Sequence, residues 1–458
     1  MSFIQYCSPA LSGFRNFVKQ NRTILTLNFI TDYIMKKILL TISMAALAIT
    51  ACQNQTEDYS WVKKGIDTAS QQLKWTAEEI KGTGMLPRSI RVGYDMDFLE
   101  RQLERDRSTF ADSLRAQPAP GQEGQRRLCN IYDWTSGFFP GSLWYAYELT
   151  GDEAMKAEAV HYTELLDPIR RYTGTHDLGF MINCSYGNAL RLSPNDTIPA
   201  VLVETSDNLC SRFKDSIGCI RSWDFGPWNF PVIIDNMMNL DLLFTASKLT
   251  GDSKYKDIAV RHADHTMANH FRPDYTCWHV VSYNDDGTVE LKQTFQGKND
   301  DSSWARGQAW AVYGYTSCYR ETGDEKYLDF ACKIADMIMS KVVAEDAVPY
   351  WDYDAPVTNE TPRDASAGAV TACAMLELGT MVPDGQKYFD YGEKILKSLS
   401  SDAYLAAPGT NQGFVLMHST GSLPNGSEID VPLNYADYYY LEGLKRYMDL
   451  KGLSYSEL

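Results

Sequence analysis

The sequence predicts an all-α protein built as an (α/α)6 barrel of repeated helical hairpins, and two observations lead to this prediction. A short Thr-Gly-Asp motif occurs at Thr150, Thr250 and Thr322, each time between two helical stretches, and residues 383–385 form a degenerate fourth copy. No convincing run of alternating apolar and polar residues, the pattern of a half-buried strand, interrupts these stretches. Repeated helical hairpins without strands favour a closed or stacked array of helices.

The Thr-Gly-Asp motif itself predicts a tight turn between two helices. Its glycine can end one helix in the left-handed conformation, and its aspartate can accept hydrogen bonds from the first amides of the next helix. Apolar positions at matching offsets after the three turns are Met155, Tyr255 and Tyr327; Ala159, Ala259 and Ala331; Tyr162, His262 and Ile334. These offsets lie on one face of a helix, which we expect to be buried.

The spacing of the motif favours a barrel over a solenoid. The copies are 100, 72 and 61 residues apart, which is too long and too uneven for solenoid repeats of about 34–47 residues. Such intervals suit helical hairpins joined by long loops, and long loops at one rim are where a binding site is expected. No linker or abrupt change of composition occurs within residues 57–458, so this range is expected to be a single catalytic domain.

The N-terminal region has the features of a bacterial lipoprotein signal over residues 35–52. Lys36 and Lys37 precede a short apolar run, and Cys52 follows small residues as the cysteine of a lipobox would. The run is too short to span a bilayer, and a buried helix is its alternative interpretation. We therefore expect a periplasmic lipoprotein of the cell envelope, which meets the membrane only through a lipid on Cys52. Residues 1–34 precede a signal that normally begins a chain, so we expect them to be an upstream misreading.

Composition excludes several other functions. The formal net charge of −16 argues against nucleic acid as a partner, and an anionic substrate would need a local basic pocket. Ten cysteines are present without a CxxC pair, and a disulfide between Cys210 and Cys219 stays open. His262, His265 and His270 do not converge on one point of a helix, so no metal is expected there.

Two aspartates stand in unusual surroundings. Asp177 lies at the edge of an apolar stretch, and Asp235 lies within the apolar run of residues 231–240. Loss of solvent around Asp235 should raise its pKa towards that of a useful general acid. A buried aspartate that caps a helix or accepts structural hydrogen bonds is an equally good interpretation from composition alone.

Aromatic residues beside glycines and polar groups indicate a saccharide cleft. They cluster where loops lead into helices, in residues 133–141, 221–228 and 301–310. Aromatic rings next to hydrogen-bonding groups suit sugars, whose ring faces are apolar and whose edges are polar. A core role is as good an interpretation for any single tryptophan, and it is the clustering that favours the cleft.

From about residue 60 to the C-terminus, the chain resembles the unsaturated glucuronyl hydrolases, glycoside hydrolase family 88. The resemblance rests on DWTSGFFPGSLW (133–144), HDLGF (176–180), VIIDNMMNL (232–240), TFQG (294–297), WARGQAWAVYG (304–314), RDASAGAVTA (363–372) and DYYYLEGL (437–444). It implies an (α/α)6 barrel without a metal or other cofactor. It also implies that Asp235 is the general acid and base and that Asp177 positions the substrate. The positions expected to line the sugar pocket are Trp134, His176, Trp223, His279, Gln296, Arg306 and Trp310.

The reaction implied by this resemblance is hydration of a double bond. Polysaccharide lyases leave a C4=C5 double bond in a terminal uronate, and hydration at C5 would release that uronate from its oligosaccharide. Arg306 is the candidate partner of the substrate charge, because its planar guanidinium suits carboxylates. Some relatives have additional serines in the loop matching 363–372 for sulfate groups, and Ser366 stands there between Ala365 and Ala367. The leading hypothesis is therefore removal of unsaturated glucuronate from glycosaminoglycan fragments. The alternatives are an unsaturated rhamnogalacturonyl hydrolase and a glycan-binding lipoprotein without catalysis.

Overall fold

The computed structural model describes residues 58–115 and 121–458, so the predicted signal, with Cys52, lies outside the described residues. Residues Ser60–Leu458 form one unit. Its α-helices are α1 (Ser60–Glu79), α2 (Met96–Leu103), α3 (Asp112–Arg115), α4 (Phe138–Thr150), α5 (Glu153–Glu164), α6 (Asn188–Leu192), α7 (Ile198–Ser211), α8 (Leu240–Thr250), α9 (Ser253–Asn269), α10 (Ala305–Thr322), α11 (Glu325–Lys341), α12 (Ala365–Leu378), α13 (Gln386–Leu399) and α14 (Asn434–Lys451). A π-helix (Gly179–Gly187) leads into α6, and a 3-10 helix (Ile234–Asn239) leads into α8.

An inner ring of helical segments forms the core of this unit. Each segment packs against the next, and α14 closes the ring against α4. In order, the inner segments are α4, the π-helix with α6, the 3-10 helix with α8, α10, α12 and α14. Burial on all sides explains their composition, since every residue of α12 except Glu377 is buried.

An outer layer of helices completes the barrel. It consists of α1, α5, α7, α9, α11 and α13, which pack against the inner segments. The outer helices are amphipathic, and α13 has its apolar residues on the side that faces the core. The predicted (α/α)6 architecture is confirmed.

The Thr-Gly-Asp turns have the predicted geometry. Gly151, Gly251 and Gly323 end inner helices with φ between 70° and 72°. Asp152, Asp252 and Asp324 cap the following outer helices through hydrogen bonds from the amides of Ala154, Lys254 and Lys326. The matching positions after the turns are all buried, including Tyr255 and His262. The fourth copy differs, because its glycine, Gly385, has a φ of −67° and itself occupies the N-cap position of α13, which therefore has no side-chain cap.

Short strands, which the all-α prediction omitted, lie in the loops between helices. They are β1 (Leu86–Ile90), β2 (Arg126–Cys129), β3 (Phe213–Lys214), β4 (Cys219–Ile220), β5 (Pro231–Ile233), β6 (Val280–Tyr283) and β7 (Val289–Gln293). β1 pairs with β2 and β3 with β4, while β5, β6 and β7 form an antiparallel sheet in that order. A turn at residues 284–287 joins β6 to β7. These strands have at most five residues each, which is too short for a clear alternating pattern.

The structure also shows the state of the cysteines and histidines that the sequence analysis named. Cys210 and Cys219 are free thiols, so the disulfide left open does not form between them. His262 accepts a hydrogen bond from the amide of Ile220, and His270 pairs with the carbonyl of Val232. His262 therefore links α9 to β4, and His270 links the end of α9 to β5. In residues 58–115 and 121–458, no helix combines the length and the apolarity needed to cross a membrane.

Candidate active site

A cavity of about 680 Å³ lies at one end of the barrel. The predicted residues that line it are Trp134, His176, Asp177, Trp223, Asp235, Gln296 and Arg306. Its volume is in the range of small-molecule sites. The sequence-predicted residues are thus brought to one place, although they span more than a third of the chain.

The cavity lies where inner helical segments begin. Asp177 precedes the π-helix, Asp235 lies in the first turn of the 3-10 helix, and Arg306 and Tyr435 lie in the first turns of α10 and α14. Helix N-termini carry partial positive charge because their first amides have no partner within the helix. The ends of these segments therefore favour a negatively charged ligand.

Asp235 is positioned by the central sheet. β5 leads directly into the 3-10 helix, and the amide of Ile234 donates to the carbonyl of His279 over 3.1 Å. The Asp235 side chain is almost fully buried, and its Oδ2 has no hydrogen-bond partner among the described residues. Burial raises the pKa of Asp235 to about 7, the nearby Arg306 opposes this shift, and Asp177 adds to it. The group can therefore both donate and accept a proton near neutral pH.

His279 presents a fixed N–H to this carboxyl group. Its Nδ1 accepts hydrogen bonds from the amides of Phe295 and Gln296, at 3.1 and 3.2 Å, so the proton of the neutral ring is assigned to Nε2. That Nε2 lies 3.6 Å from Oδ2 of Asp235. Burial, together with the charge of Arg306, holds the pKa of His279 well below its usual value. His279 is therefore a neutral donor beside Asp235.

Asp177 is held by its own loop. The Thr175 hydroxyl donates to Asp177 Oδ2 over 2.7 Å and accepts from the Asp177 amide over 3.1 Å. Nε2 of His176 lies 3.3 Å from the other carboxylate oxygen, and burial lowers the pKa of His176. Asp177 is thus a fixed carboxylate with one oxygen free of hydroxyl contacts, in the same cavity as Asp235.

Arg306 lines the cavity, but its terminal nitrogens are already engaged within the protein. Nη1 donates to Asp364 Oδ2 over 2.7 Å and to the carbonyl of Thr420 over 2.6 Å, and Nη2 donates to the carbonyl of Gly421 over 2.6 Å. Nε alone has no hydrogen-bond partner among the described residues. Asp364 thus holds part of the guanidinium, and the pairing of Arg306 with substrate charge stays a prediction.

Two of the predicted pocket residues lie behind the wall. Trp310 is completely buried between Phe180 and Tyr439, and its indole N–H lies near Asp235 without completing a hydrogen bond of normal geometry. His279 is also buried and lies behind residues that line the cavity, among them Asp235 and Trp223. The structure thus places Trp310 and His279 beside Asp235 and outside the cavity lining, and a direct contact of either residue with sugar stays a prediction.

Aromatic rings form the remaining wall. Trp134 packs against Tyr435 with ring centroids 5.0 Å apart, and Trp223 stacks on Phe225 at 5.1 Å. Phe225 and Tyr132 are each about half exposed at the cavity, at 55% and 50%. Exposed rings of this size beside carboxylates are suited to the apolar faces of sugars.

Sequence reasoning missed the ionic cluster at the opposite wall. Arg88 in β1 donates to Asp133 over 2.5 Å and to Glu428 over 2.6 Å, and Arg127 also contacts Glu428. No local pattern marks Arg88 or Glu428, because their partners are far away in the sequence. Only Asp133 falls within a motif that the sequence analysis singled out. Both arginines that line the cavity, Arg88 and Arg306, are thus paired with carboxylates.

The chain is similar to proteins of known sequence and structure. A family model described as a domain of unknown function matches residues 35–105. An unsaturated glucuronyl hydrolase of Formosa agariphila is 47% identical over 323 residues, covering 69% of this chain and 80% of the relative. An unsaturated chondroitin disaccharide hydrolase of Streptococcus pyogenes is 31% identical over 364 residues, covering 77% and 90% of the two chains.

A solved structure agrees with these relatives. The crystal structure of an unsaturated glucuronyl hydrolase specific for heparin superposes with a TM-score of 0.77 and 48% identity, covering 87% of this chain and 99% of the other. The chain therefore belongs to the unsaturated glucuronyl hydrolases, a family of glycoside hydrolases.

Proposed function

We propose that this glycoside hydrolase removes the terminal 4,5-unsaturated glucuronate from glycosaminoglycan oligosaccharides by hydrating its C4=C5 double bond. The observation that carries the proposal is Asp235, a buried carboxyl group with a pKa of about 7 at an aromatic-walled cavity. A protonated carboxyl group at neutral pH is what protonation of an enol-ether carbon requires.

The proposed reaction has two proton transfers at one residue. Asp235 protonates C4, the π electrons of the double bond form the new C–H bond, and positive charge develops at C5 and the ring oxygen. The carboxylate of Asp235 then takes a proton from water while the water oxygen bonds to C5. This proton transfer returns Asp235 to its starting protonated state. The product is a hemiketal at C5, whose ring opening breaks the bond between C5 and the ring oxygen and leaves a ketone at C5 and a hemiacetal at C1. Collapse of that hemiacetal to an aldehyde releases the neighbouring sugar with the hemiacetal proton.

The surrounding residues favour the charges of this sequence. The Nε2–H of His279 faces Asp235 and stabilises its carboxylate after the first transfer. Asp177, fixed by Thr175, provides negative charge for the developing cation at C5 and a hydrogen-bond acceptor for the sugar. The N-termini of the inner segments favour the uronate carboxylate without a free cation. In this assignment Arg306, in the wall of the same cavity, limits the rise in the pKa of Asp235 through its positive charge.

The relatives support glycosaminoglycan fragments as substrates. One solved relative is specific for heparin at 48% identity, and another relative acts on chondroitin disaccharides at 31%. The nearer identity leads us to propose heparin-derived disaccharides as the preferred substrate, with chondroitin-derived ones as weaker substrates.

The test follows the absorbance of the double bond with lyase-generated heparin, chondroitin and rhamnogalacturonan fragments. We expect wild type to consume the heparin fragment fastest and Asp235→Asn to reduce kcat by about 10²–10⁴-fold. Asp437→Asn is a matched control, because Asp437 is also a buried carboxyl group with a pKa of about 7 but lies outside the cavity. Consumption of the rhamnogalacturonan fragment alone would overturn the substrate class, and equal rates for wild type and Asp235→Asn would overturn the mechanism.

We also propose that the protein is a periplasmic lipoprotein anchored through Cys52, on the strength of residues 35–52 alone. Cells that express the chain and are fed radiolabelled palmitate should label wild type and not Cys52→Ala. Equal labelling of both proteins, or of neither, would contradict the anchor.

A further inference from the structure

A second cavity, of about 440 Å³, adjoins the catalytic cavity. Phe295 and Asn425 line both cavities, so the two share a wall. The Asn425 amide donates to the carbonyl of Phe295 over 3.1 Å and to the hydroxyl of Ser422 over 2.6 Å, which fixes this wall. Together the cavities outline a cleft that continues beyond the reacting sugar, and we call the second one the outer subsite.

The outer subsite differs from the catalytic cavity in its cations. Arg105, in the loop after α2, lines it, and its guanidinium lies 5.1 Å from the Phe110 ring centroid. Among the described residues, that guanidinium has no hydrogen bond or ion pair, and the side chain is exposed. Lys298 also lines the subsite, but Glu104 at 3.0 Å neutralises it.

The polar groups around Arg105 leave room for an anion. Asn299 lines the subsite and is exposed, and its Oδ1 accepts a hydrogen bond from the amide of Asp301. The one carboxylate in the lining, Asp300, already accepts from the amide of Thr294 over 2.9 Å. An unpaired guanidinium beside an exposed amide is a recognition site for a sulfate or carboxylate group.

We propose that the outer subsite binds an anionic group on a sugar beyond the unsaturated glucuronate, with Arg105 as its charge partner. Phe295 separates this sugar from the reacting one and offers its ring to both, since it contacts Trp223 at 5.2 Å in the wall of the catalytic cavity. The inference rests on the proposed function and deepens it, because it makes the enzyme selective for acidic substrates longer than the reacting sugar. The outer subsite thereby adds an unpaired cation that the catalytic cavity does not offer, since Arg88 and Arg306 are both paired there.

The test compares wild type with Arg105→Gln on three lyase-generated substrates: an unsulfated disaccharide, an unsulfated tetrasaccharide and a sulfated tetrasaccharide. Arg101→Gln is the matched control, since Arg101 is an exposed arginine of α2 that pairs with Glu360 and lines neither cavity. We expect Arg105→Gln to raise KM for tetrasaccharides about five- to ten-fold, with kcat and the disaccharide KM unchanged. The increase should shrink at high salt, because salt screens an exposed pair.

The three substrates distinguish a sulfate group from a carboxylate group as the anion that Arg105 binds. A raised KM for the sulfated tetrasaccharide alone identifies sulfate, and a raised KM for both tetrasaccharides identifies a carboxylate. Unchanged KM values for all three substrates would overturn the outer subsite while leaving the proposed hydration intact. Calorimetric titration of Asp235→Asn, with and without Arg105→Gln, measures the affinities for the tetrasaccharides with turnover suppressed, so a failure of the proposed function would show separately.

Discussion

Asp235 is a carboxyl group that the fold keeps out of water without giving its Oδ2 a hydrogen bond from the described residues. Such a group is costly when ionised, and here burial outweighs the opposing charge of Arg306. The same property that makes Asp235 a proton donor near neutral pH also makes it a weak point of the native state. Activity and stability should therefore both decline as Asp235 loses its proton.

The first prediction concerns the pH dependence of activity. Because the protonated form of Asp235 starts the reaction, we expect kcat/KM to fall as pH rises through about 7, the pKa of Asp235 in the free enzyme. The measurement is initial rates from pH 5 to 9 with the disaccharide. In Asp437→Asn the alkaline limb should stay in place, and a wild-type rate still rising at pH 9 would contradict the assignment.

The second prediction concerns the pH dependence of stability. The pKa of Asp235 is raised from 3.8 to about 7, so its ionisation favours the unfolded chain, and stability is lost as pH rises from about 4 to 7. Asp235→Asn lacks this loss and should gain up to about 4 kcal/mol relative to wild type between pH 4 and 8. Urea unfolding of both proteins at pH 4 and at pH 8 measures this difference in the free energy of unfolding. A difference between the proteins that does not change with pH would disprove the raised pKa.

At the residue scale, the sequence predicted the burial of a side chain where that burial depends on neighbours in the sequence. The apolar neighbours of Asp235 indicated its burial correctly. The surroundings of Arg306 were not predictable, because its partners Asp364, Thr420 and Gly421 lie 58 to 115 positions further along the chain. Whether an arginine is free or paired depends on tertiary contacts that no local pattern records.

At the scale of elements, the Thr-Gly-Asp turns reverse the chain from an inner to an outer helix. Gly251 has a φ of 72°, and a Cβ placed there would meet no atom within 4 Å. The turn therefore needs glycine for its backbone conformation and not for space. We expect Gly251→Ala to destabilise the protein by about 1–2 kcal/mol and to leave kcat unchanged, as thermal unfolding and rate assays would show.

Gly137 provides the contrasting substitution. It precedes α4 with an ordinary φ of −78°, but a Cβ there would collide with the backbone carbonyls of Phe180 and Met181. Gly137→Ala should therefore displace the π-helix that follows Asp177 and reduce activity as well as stability. Full activity in Gly137→Ala, or a loss of activity in Gly251→Ala, would contradict this division between site and turn.

The elements differed in how well the sequence predicted them. Helices joined by Thr-Gly-Asp turns have caps and periodic apolar positions within one stretch of chain, so they were predicted. In the sheet of β5, β6 and β7, β5 pairs with β6 about fifty residues further along the chain, and each strand has only three to five residues. Its existence depends on pairing with distant segments, which explains why the sequence analysis missed it.

At the scale of the whole molecule, the inner ring is closed by the two ends of the described unit. α14 packs against both α1 and α4, and the hydroxyl of Tyr455 donates to Asp67 over 2.5 Å. The catalytic cavity lies across this junction, since Arg88 pairs with Glu428 and Trp134 packs on Tyr435.

A chain released from the ribosome up to α13 would thus contain both aspartates and still have an unfinished pocket. The appearance of catalytic turnover during refolding should coincide with docking of α14, after most of the helical signal has returned. The return of enzyme activity consequently measures the rate of the last step of assembly. If the circular dichroism signal of the helices and the enzyme activity return at the same rate, the ring forms in one step.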